Sequence, residues 1–178
     1  MRISIIGAPG SGKTTQANLL AKPLGVPVFS LGKELRRVVE EGGPKASEIK
    51  KILEEGGLVP DEMTLDVLRE RLMSEDTSRG FILDGMPRTI GEARAMSQIF
   101  ALNKVFHLQV GVQAATERLL RRGREDDKPE LMQRRFDLYN QNIKPIIAFY
   151  RSLGALIEID ASSSSIQDIN REIMSKLQ

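Results

Sequence analysis

Residues 7–14 have the residue types and the spacing of a phosphate-binding loop. The segment GAPGSGKT fits the pattern G-x-x-x-x-G-K-[ST] and directly follows the apolar run 3–6. Glycines let successive backbone N–H groups face one anion, and a helix that begins after the loop presents its positive end to that anion. Lys13 is expected to reach the β- and γ-phosphates, and Thr14 to offer its hydroxyl to Mg²⁺. A glycine turn without a ligand is the alternative, but the pattern favours a nucleoside triphosphate site.

A carboxylate and two arginines could complete this site. Asp84 ends the apolar run 81–84, which suits a Walker-B aspartate that holds Mg²⁺ directly or through water, and Gly85 leaves room for phosphate. Arg88 follows closely. Together with Arg36, it could hold a second phosphate from two sides, because planar guanidinium groups form bidentate hydrogen bonds.

The order of apolar and amphipathic segments indicates the elements that must position these residues. Apolar runs occur at 2–6, 27–29, 81–84, 105–109 and 155–159. Their alternation with helical patterns predicts a parallel sheet packed between helices. Pro27 cannot donate to a strand ladder, so the second strand is expected at an edge. Helices are predicted over 13–24, from Pro60 to about 74, from Pro129, and after a capping box at 165–168.

Residues 30–59 interrupt the alternation of strands and helices. Helical patterns at 35–41 and 48–55 are separated by Gly42, Gly43 and Pro44. The segment therefore predicts a helical insertion at the carboxyl end of a strand. Ligands bind at such ends in open α/β sheets, so the insertion is expected to carry a second substrate.

Composition excludes several kinds of site. The 178 residues are 40% hydrophobic, which is enough for one main core. The absence of cysteine excludes disulfides, thiolate zinc sites and a cysteine nucleophile. The single histidine, His107, lies in an apolar run and is predicted to belong to the core. A net charge of +2 argues against a nucleic-acid partner. No apolar window is long enough for a membrane span or a signal segment, so we expect a cytoplasmic protein without a membrane partner.

Several motifs together resemble the adenylate kinase family. They are the loop at 7–14, Ser30-Leu31-Gly32 with Arg36, GLVPDE at 57–62, FILDGMPR at 81–88, ERLLRRGREDD at 117–127, residues 135–139, and PIIAFY at 145–150. The resemblance covers nearly the whole chain. It implies an α/β, P-loop NTPase-type fold with a five-stranded parallel sheet flanked by helices. The implied domains are a core at 1–29, 60–120 and 136–178, a helical insertion for the nucleoside monophosphate at 30–59, and a very short lid at 121–135.

The resemblance also implies an activity and the residues that perform it. The activity is reversible phosphoryl transfer from MgATP to a nucleoside monophosphate, with ATP + AMP = 2 ADP favoured, by a monomer without zinc. Charge on the transferring group would be neutralised by Lys13, Arg88, Arg122, Arg124 and Arg135. ATP would be bound by Gly10, Ser11, Gly12, Lys13, Thr14, Thr15 and Arg118, of which Arg118 would stack on the base. The monophosphate would be bound by Ser30, Leu31, Arg36, Gly57, Val59, Gly85, Arg88 and Glu92. Mg²⁺ would be held by Thr14 and Asp84. Arg121 and Arg134 are predicted to belong to a solvated helix face instead.

Three positions depart from the family pattern. Leu31 stands where threonine is common and forfeits a hydroxyl contact, and Met86 replaces an aromatic residue. Glu92 stands where glutamine or asparagine is expected. A carboxylate only accepts hydrogen bonds, which matches the N1–H and amino group of guanine, so GMP is an alternative to AMP. The competing prediction is a capping box at 89–92, in which Glu92 folds back to the Thr89 amide.

The lid is unusually short because only Gly123 separates Arg122 from Arg124. A lid excludes water, so we hypothesise that this one lets some ATP hydrolyse without an acceptor. Alternatives to an adenylate kinase are a kinase for GMP or a pyrimidine monophosphate, a kinase for a non-nucleotide acceptor, and an ATPase or nucleotide-binding module without transfer. The arginines expected between two phosphates argue against a module that only binds.

Overall fold

Five parallel strands form one sheet in the order β2-β3-β1-β4-β5. The computed structural model describes residues 1–123, 128–162 and 164–177. The strands are β1 Arg2–Gly7, β2 Val28–Ser30, β3 Phe81–Asp84, β4 Lys104–Gln109 and β5 Leu156–Asp160. The helices are α1 Lys13–Leu24, α2 Leu31–Glu41, α3 Ala46–Glu54, α4 Asp61–Met73, α5 Ile90–Ile99, α6 Val112–Arg122, α7 Pro129–Ser152 and α8 Ile166–Ser175.

The predicted parallel sheet is confirmed, and every strand bound lies within one residue of its predicted position. The second strand, β2, lies at an edge as predicted. Pro27 precedes β2, and its carbonyl accepts a hydrogen bond of 2.9 Å from the Ile82 N–H. The Pro27 carbonyl therefore accepts a hydrogen bond from β3, and the position of Pro27 just before β2 does not require the N–H that proline lacks.

Helices cover both faces of the sheet. Side chains alternate along β1, so that Ile3 and Ile5 pack with α1 and α8 while Ile6 packs with α5 and α7. The strands are consequently apolar on both faces, as a parallel sheet requires. A further cluster joins β2 and β3 to α2, α3 and α4.

The insertion at 30–59 contains the two predicted helices, with different bounds. α2 begins at Leu31, four residues before the predicted start, because the chain passes directly from β2 into the helix at Ser30. Leu31 and Leu35 are both buried, so the apolar stripe extends back to the first helical turn. The division of the chain into a core, an insertion and a lid stays a prediction.

The search for membrane spans gives a negative result over the described residues: none of their helices is both long enough and apolar enough to cross a bilayer.

Candidate active site

The loop between β1 and α1 has the backbone that its glycines predict. Gly10 has a φ of 77°, and a Cβ at this position would lie 2.3 Å from the Ala115 carbonyl oxygen in α6. Gly12 is the N-cap of α1 with a φ of 92°. Only glycine combines these angles with the close approach at Gly10, so the loop can curl over the first turn of α1. The N-terminus of α1 therefore faces the carboxyl edge of the sheet.

The side chain of Lys13 folds back onto this loop. Its Nζ donates hydrogen bonds to the carbonyl oxygens of Gly7 at 2.8 Å and Ala8 at 2.7 Å. Burial lowers the pKa of Lys13 to about 8, and Asp84 opposes that shift. The cations of Arg88, Arg135 and Arg122 lower it further. Four positive side chains thus converge on one small region, which is an arrangement that favours a polyanion.

Asp84 links the loop helix to two neighbouring strands. It ends β3, and its Oδ2 accepts hydrogen bonds from Thr14 Oγ1 at 2.6 Å and from Ser30 Oγ at 2.7 Å. Carboxylate and hydroxyl oxygens are the ligand types that Mg²⁺ prefers. Within the described residues no group of three or more Asp, Glu, His or Cys side chains could hold a metal ion. A single carboxylate suffices for Mg²⁺ when substrate phosphates and water supply the other oxygens.

Most of the predicted site residues line a first cavity of about 160 Å³ at the carboxyl edge of the sheet. It brings together residues that are distant in the sequence: Gly10, Lys13, Thr14, Ser30, Arg36, Gly57, Asp84, Gly85, Arg88, Arg122 and Arg135. The Arg88 Nε donates to the Gly85 carbonyl at 3.1 Å, which directs its guanidinium along the cavity wall. The insertion and α7 therefore both contribute to the wall of the first cavity.

A second cavity, of about 450 Å³, lies on the other side of the loop. The predicted site residues that line it are Gly10, Ser11, Gly12, Lys13, Thr14, Thr15, Arg118 and Arg122. Arg118 is held by the carbonyl oxygens of Ala161 at 2.8 Å and Ser162 at 3.3 Å. The first and second cavities share Gly10, Lys13, Thr14 and Arg122, so they meet at the phosphate loop.

Some predicted residues do not line either cavity. Leu31 and Val59 are 3% and 4% exposed, and their side chains pack in the apolar cluster between the insertion and β3. Arg124 lies outside the described residues. Arg121 pairs with Glu117 at 3.4 Å on an exposed helix face, as predicted, although it also borders the second cavity. Arg134 is exposed.

Glu92 is 1% exposed and does not line either cavity. Thr89 caps α5 by accepting a hydrogen bond from the Glu92 N–H, which confirms the predicted cap. The return contact differs from the prediction, because the Glu92 carboxylate accepts from the Arg88 N–H at 2.6 Å and not from Thr89. The carboxylate therefore reaches the amide one residue before the cap and not that of the cap itself. Burial raises the pKa of Glu92 to about 7, and the Arg88 hydrogen bond opposes that shift.

Replacing Glu92 with glutamine is expected to stabilise the protein at alkaline pH. The pKa of Glu92 rises from 4.5 in the unfolded chain to about 7 in the folded protein. Protonated Glu92 therefore makes its full contribution to the free energy of unfolding below pH 4.5, and this contribution is lost as pH rises through about 7. Glutamine keeps an acceptor for the Arg88 amide and carries no charge. At about pH 8, the free energy of unfolding of E92Q should exceed that of the wild type by roughly 1–3 kcal/mol, and the gap should shrink towards pH 5. Denaturant unfolding at both pH values measures it.

The exposed residue Glu70 provides the matched control, since E70Q also removes one carboxylate from a helix. Its unfolding free energy should follow that of the wild type at both pH values. A difference between E92Q and the wild type that is independent of pH would contradict a buried ionisable role for Glu92.

The sequence interpretation missed Tyr139. It lines the first cavity, and its hydroxyl lies 2.8 Å from His107 Nε2. His107 is 5% exposed, as predicted for a core histidine. Tyr139 lies within the motif 135–139, but no residue type or spacing in that segment predicts that the ring reaches β4.

Comparison with known proteins identifies a family. Residues 5–155 match the family model described as adenylate kinase. The chain is 34% identical to an adenylate kinase of Syntrophotalea carbinolica, over 99% of this chain and 98% of that protein. It is 36% identical to one of Leptospira biflexa, over 99% of both chains. It is 38% identical to one of Xylella fastidiosa, over 90% of both.

Proposed function

This chain belongs to the adenylate kinase family, and from that membership we propose that it catalyses ATP + AMP = 2 ADP as reversible phosphoryl transfer with MgATP. The observation that carries the proposal is the meeting of two cavities at Lys13. One cavity borders the loop and α6, and the other borders the insertion and α7. Two nucleotides bound there would place their phosphates end to end.

We assign ATP to the second cavity and the monophosphate to the first. The N–H groups of the loop and the N-terminus of α1 would bind the ATP phosphates. Arg118 is fixed by two backbone carbonyls, so its planar face is available to the base of ATP. Arg36 and Arg88 line the first cavity and would bind the phosphate of AMP from two sides.

The chemistry requires alignment and charge neutralisation. A phosphate oxygen of AMP attacks the γ-phosphorus of ATP, the bond to the β–γ bridging oxygen breaks, and both products are ADP. The attacking oxygen is already anionic at neutral pH, so no residue has to remove a proton. Lys13, Arg88, Arg122 and Arg135 converge on the junction of the cavities and would stabilise the charge of the transferring group. Arg124, which follows Arg122 by two residues, is proposed for the same role.

The donor set at Asp84 fits Mg²⁺, with Thr14 and Asp84 as the residues that would hold it. Bound with ATP, this ion supplies positive charge at the phosphates. Thr14 Oγ1 lies 2.6 Å from Asp84 Oδ2, so the two groups that would hold the ion are already adjacent. We also propose that the protein is a cytoplasmic monomer that acts on small molecules and has no zinc, nucleic-acid partner or membrane partner.

Acceptor choice is the part of the proposal that Glu92 influences most. Its carboxylate faces the Arg88 backbone within the protein and not the first cavity, so the structure favours the capping role over reading of a guanine edge. AMP therefore remains the favoured acceptor. GMP and the pyrimidine monophosphates are the competing outcomes.

Initial rates of ADP formation from MgATP with AMP, GMP, CMP and UMP test the proposal, with an acceptor-free reaction beside them. We expect AMP to give a rate higher than the other acceptors by about tenfold or more. The acceptor-free rate should be small but above a no-enzyme control, because the lid is short. A GMP preference would overturn the AMP assignment, and rates equal to the acceptor-free rate for all four would overturn phosphoryl transfer. Acceptor-free hydrolysis no faster than the no-enzyme control would contradict the lid hypothesis.

A further inference from the structure

A cluster of polar side chains around the buried His107 lies next to the first cavity, and the proposed chemistry does not use it. His107 occupies β4 between Phe106 and Leu108, which pack towards α1 and α8. Alternation along the strand turns His107 to the opposite face, where α7 lies. Its Nε2 is 2.8 Å from the Tyr139 hydroxyl. A hydrogen bond between these two side chains therefore joins strand β4 to helix α7.

The other side of the imidazole faces Glu158 in β5. The His107 Nδ1 lies 3.7 Å from Glu158 Oε1, and this nitrogen has no hydrogen-bond partner among the described residues. The Glu158 carboxylate also accepts 2.8 Å hydrogen bonds from Gln109 and from Arg151. Arg151 is in the last turn of α7. These polar contacts link β4 and β5 to both halves of α7.

Tyr139 and Arg135 lie four residues apart on α7, so their side chains share one helix face. Both line the first cavity. The rotation of α7 about its axis decides whether Arg135 points into the cavity. The hydrogen bond between Tyr139 and His107 is a directional contact that opposes such a rotation.

We infer that His107 and Tyr139 form a positioning pair, whose hydrogen bond holds the face of α7 that presents Arg135 to the transferring phosphoryl group. The inference rests on the proposed phosphoryl transfer. It assigns neither residue a contact with the reacting atoms. The pair acts on the reaction through Arg135. Because His107 lies next to the first cavity, its pKa should also respond to the charge that the cavity holds.

The charged groups around His107 set the direction of that sensitivity. Burial lowers the pKa of His107, Glu158 from β5 opposes this, and Lys13 from the loop and Arg151 from α7 lower it further. Tyr139 faces it as a neutral hydroxyl, because burial raises the pKa of Tyr139 to about 12. Phosphates bound at Lys13 would cancel part of the lysine's field. Nucleotide binding should therefore raise the pKa of His107.

Steady-state kinetics of H107L, Y139F and the double variant test the pair. We expect each single variant to lower kcat roughly three- to tenfold, the cost of one lost hydrogen bond that orients a catalytic group, while both KM values change by less than about twofold. The double variant should be no slower than the slower single variant. H107Q can still reach Tyr139 with an amide group and should recover most of the rate. Y150F removes a hydroxyl from the same helix outside both cavities and should match the wild type.

A measurement on the wild-type protein tests the coupling of His107 to the cavity without any variant. The chain has one histidine, so the Cε1–H resonance of its imidazole reports its titration in a proton NMR spectrum without overlap from other histidines. A non-hydrolysable ATP analogue with Mg²⁺ should raise the pKa of His107 by roughly half a unit. Additive losses in the double variant, or full kcat in both single variants, would each overturn the pair, and an unchanged titration would overturn the coupling of His107 to the charge in the cavity. If the wild type transfers no phosphoryl group while the titration shifts, the proposed function fails and the coupling of His107 to the cavity stands.

Discussion

Alanine in place of Arg88 is expected to lower kcat/KM for phosphoryl transfer to AMP by about 10³ or more. Arg88 lines the first cavity beside Arg36, and its Nε is fixed by the Gly85 carbonyl at 3.1 Å. The remaining guanidinium nitrogens can contact the phosphate of AMP and the transferring group together. R88K should recover little of the loss, because lysine supplies a point charge and cannot reproduce the planar fork.

The same coupled assay of ADP formation measures both Arg88 variants. The exposed α5 residue Arg94 provides the control, since R94A removes one arginine outside both cavities and should keep the wild-type rate. An R88K rate within about threefold of the wild type would show that only the charge of Arg88 matters.

Methionine in place of Lys13 is expected to lower kcat by about 10²–10³ and to weaken ATP binding. Lys13 borders both cavities, and in the proposed mechanism its ammonium group contacts the ATP phosphates before and during transfer. Its carbonyl partners in the loop already hold the side chain in that direction. Methionine has a similar length and no charge, so the packing of the loop should change little.

The pH dependence of nucleotide affinity gives this prediction a second readout. Burial lowers the pKa of Lys13 to about 8, so the lysine carries its charge below that value and loses it as pH rises above it. Wild-type affinity for ATP should therefore fall through this range, and K13M should lack the step. K22M, at an exposed position of α1, should keep both the rate and the step. A K13M enzyme with wild-type kcat would remove Lys13 from the proposed mechanism.

Local patterns predicted the elements that carry the site. Apolar runs and glycine or proline boundaries are properties of neighbouring residues, and the strand bounds derived from them agree with the structure within one residue. The loop at 7–14 and Asp84 could be placed in one site because parallel strands bring their carboxyl ends to one edge. The start of α2 was predicted four residues too late, since the burial of Leu31 depends on packing between the insertion and β3.

Contacts between distant residues could not be predicted in the same way. Arg118 is anchored to carbonyls more than 40 residues away, and His107 meets Tyr139 at a separation of 32 residues. Whether Glu92 faces a base or a backbone amide depends on the path of the turn at 86–88. None of these orientations follows from residue type or spacing.

The sequence by itself determined the α/β fold with its parallel sheet, the phosphate loop and the cationic residues that line the first cavity. Periodicity, capping and glycine requirements act within a few residues, so they can be read directly from the chain. Only the tertiary structure decided that Glu92 lies within the protein on the Arg88 amide, and that His107 and Tyr139 connect the sheet to α7. Those contacts arise when separate helices pack on the sheet, because packing sets the rotation of each helix and therefore the direction of its side chains.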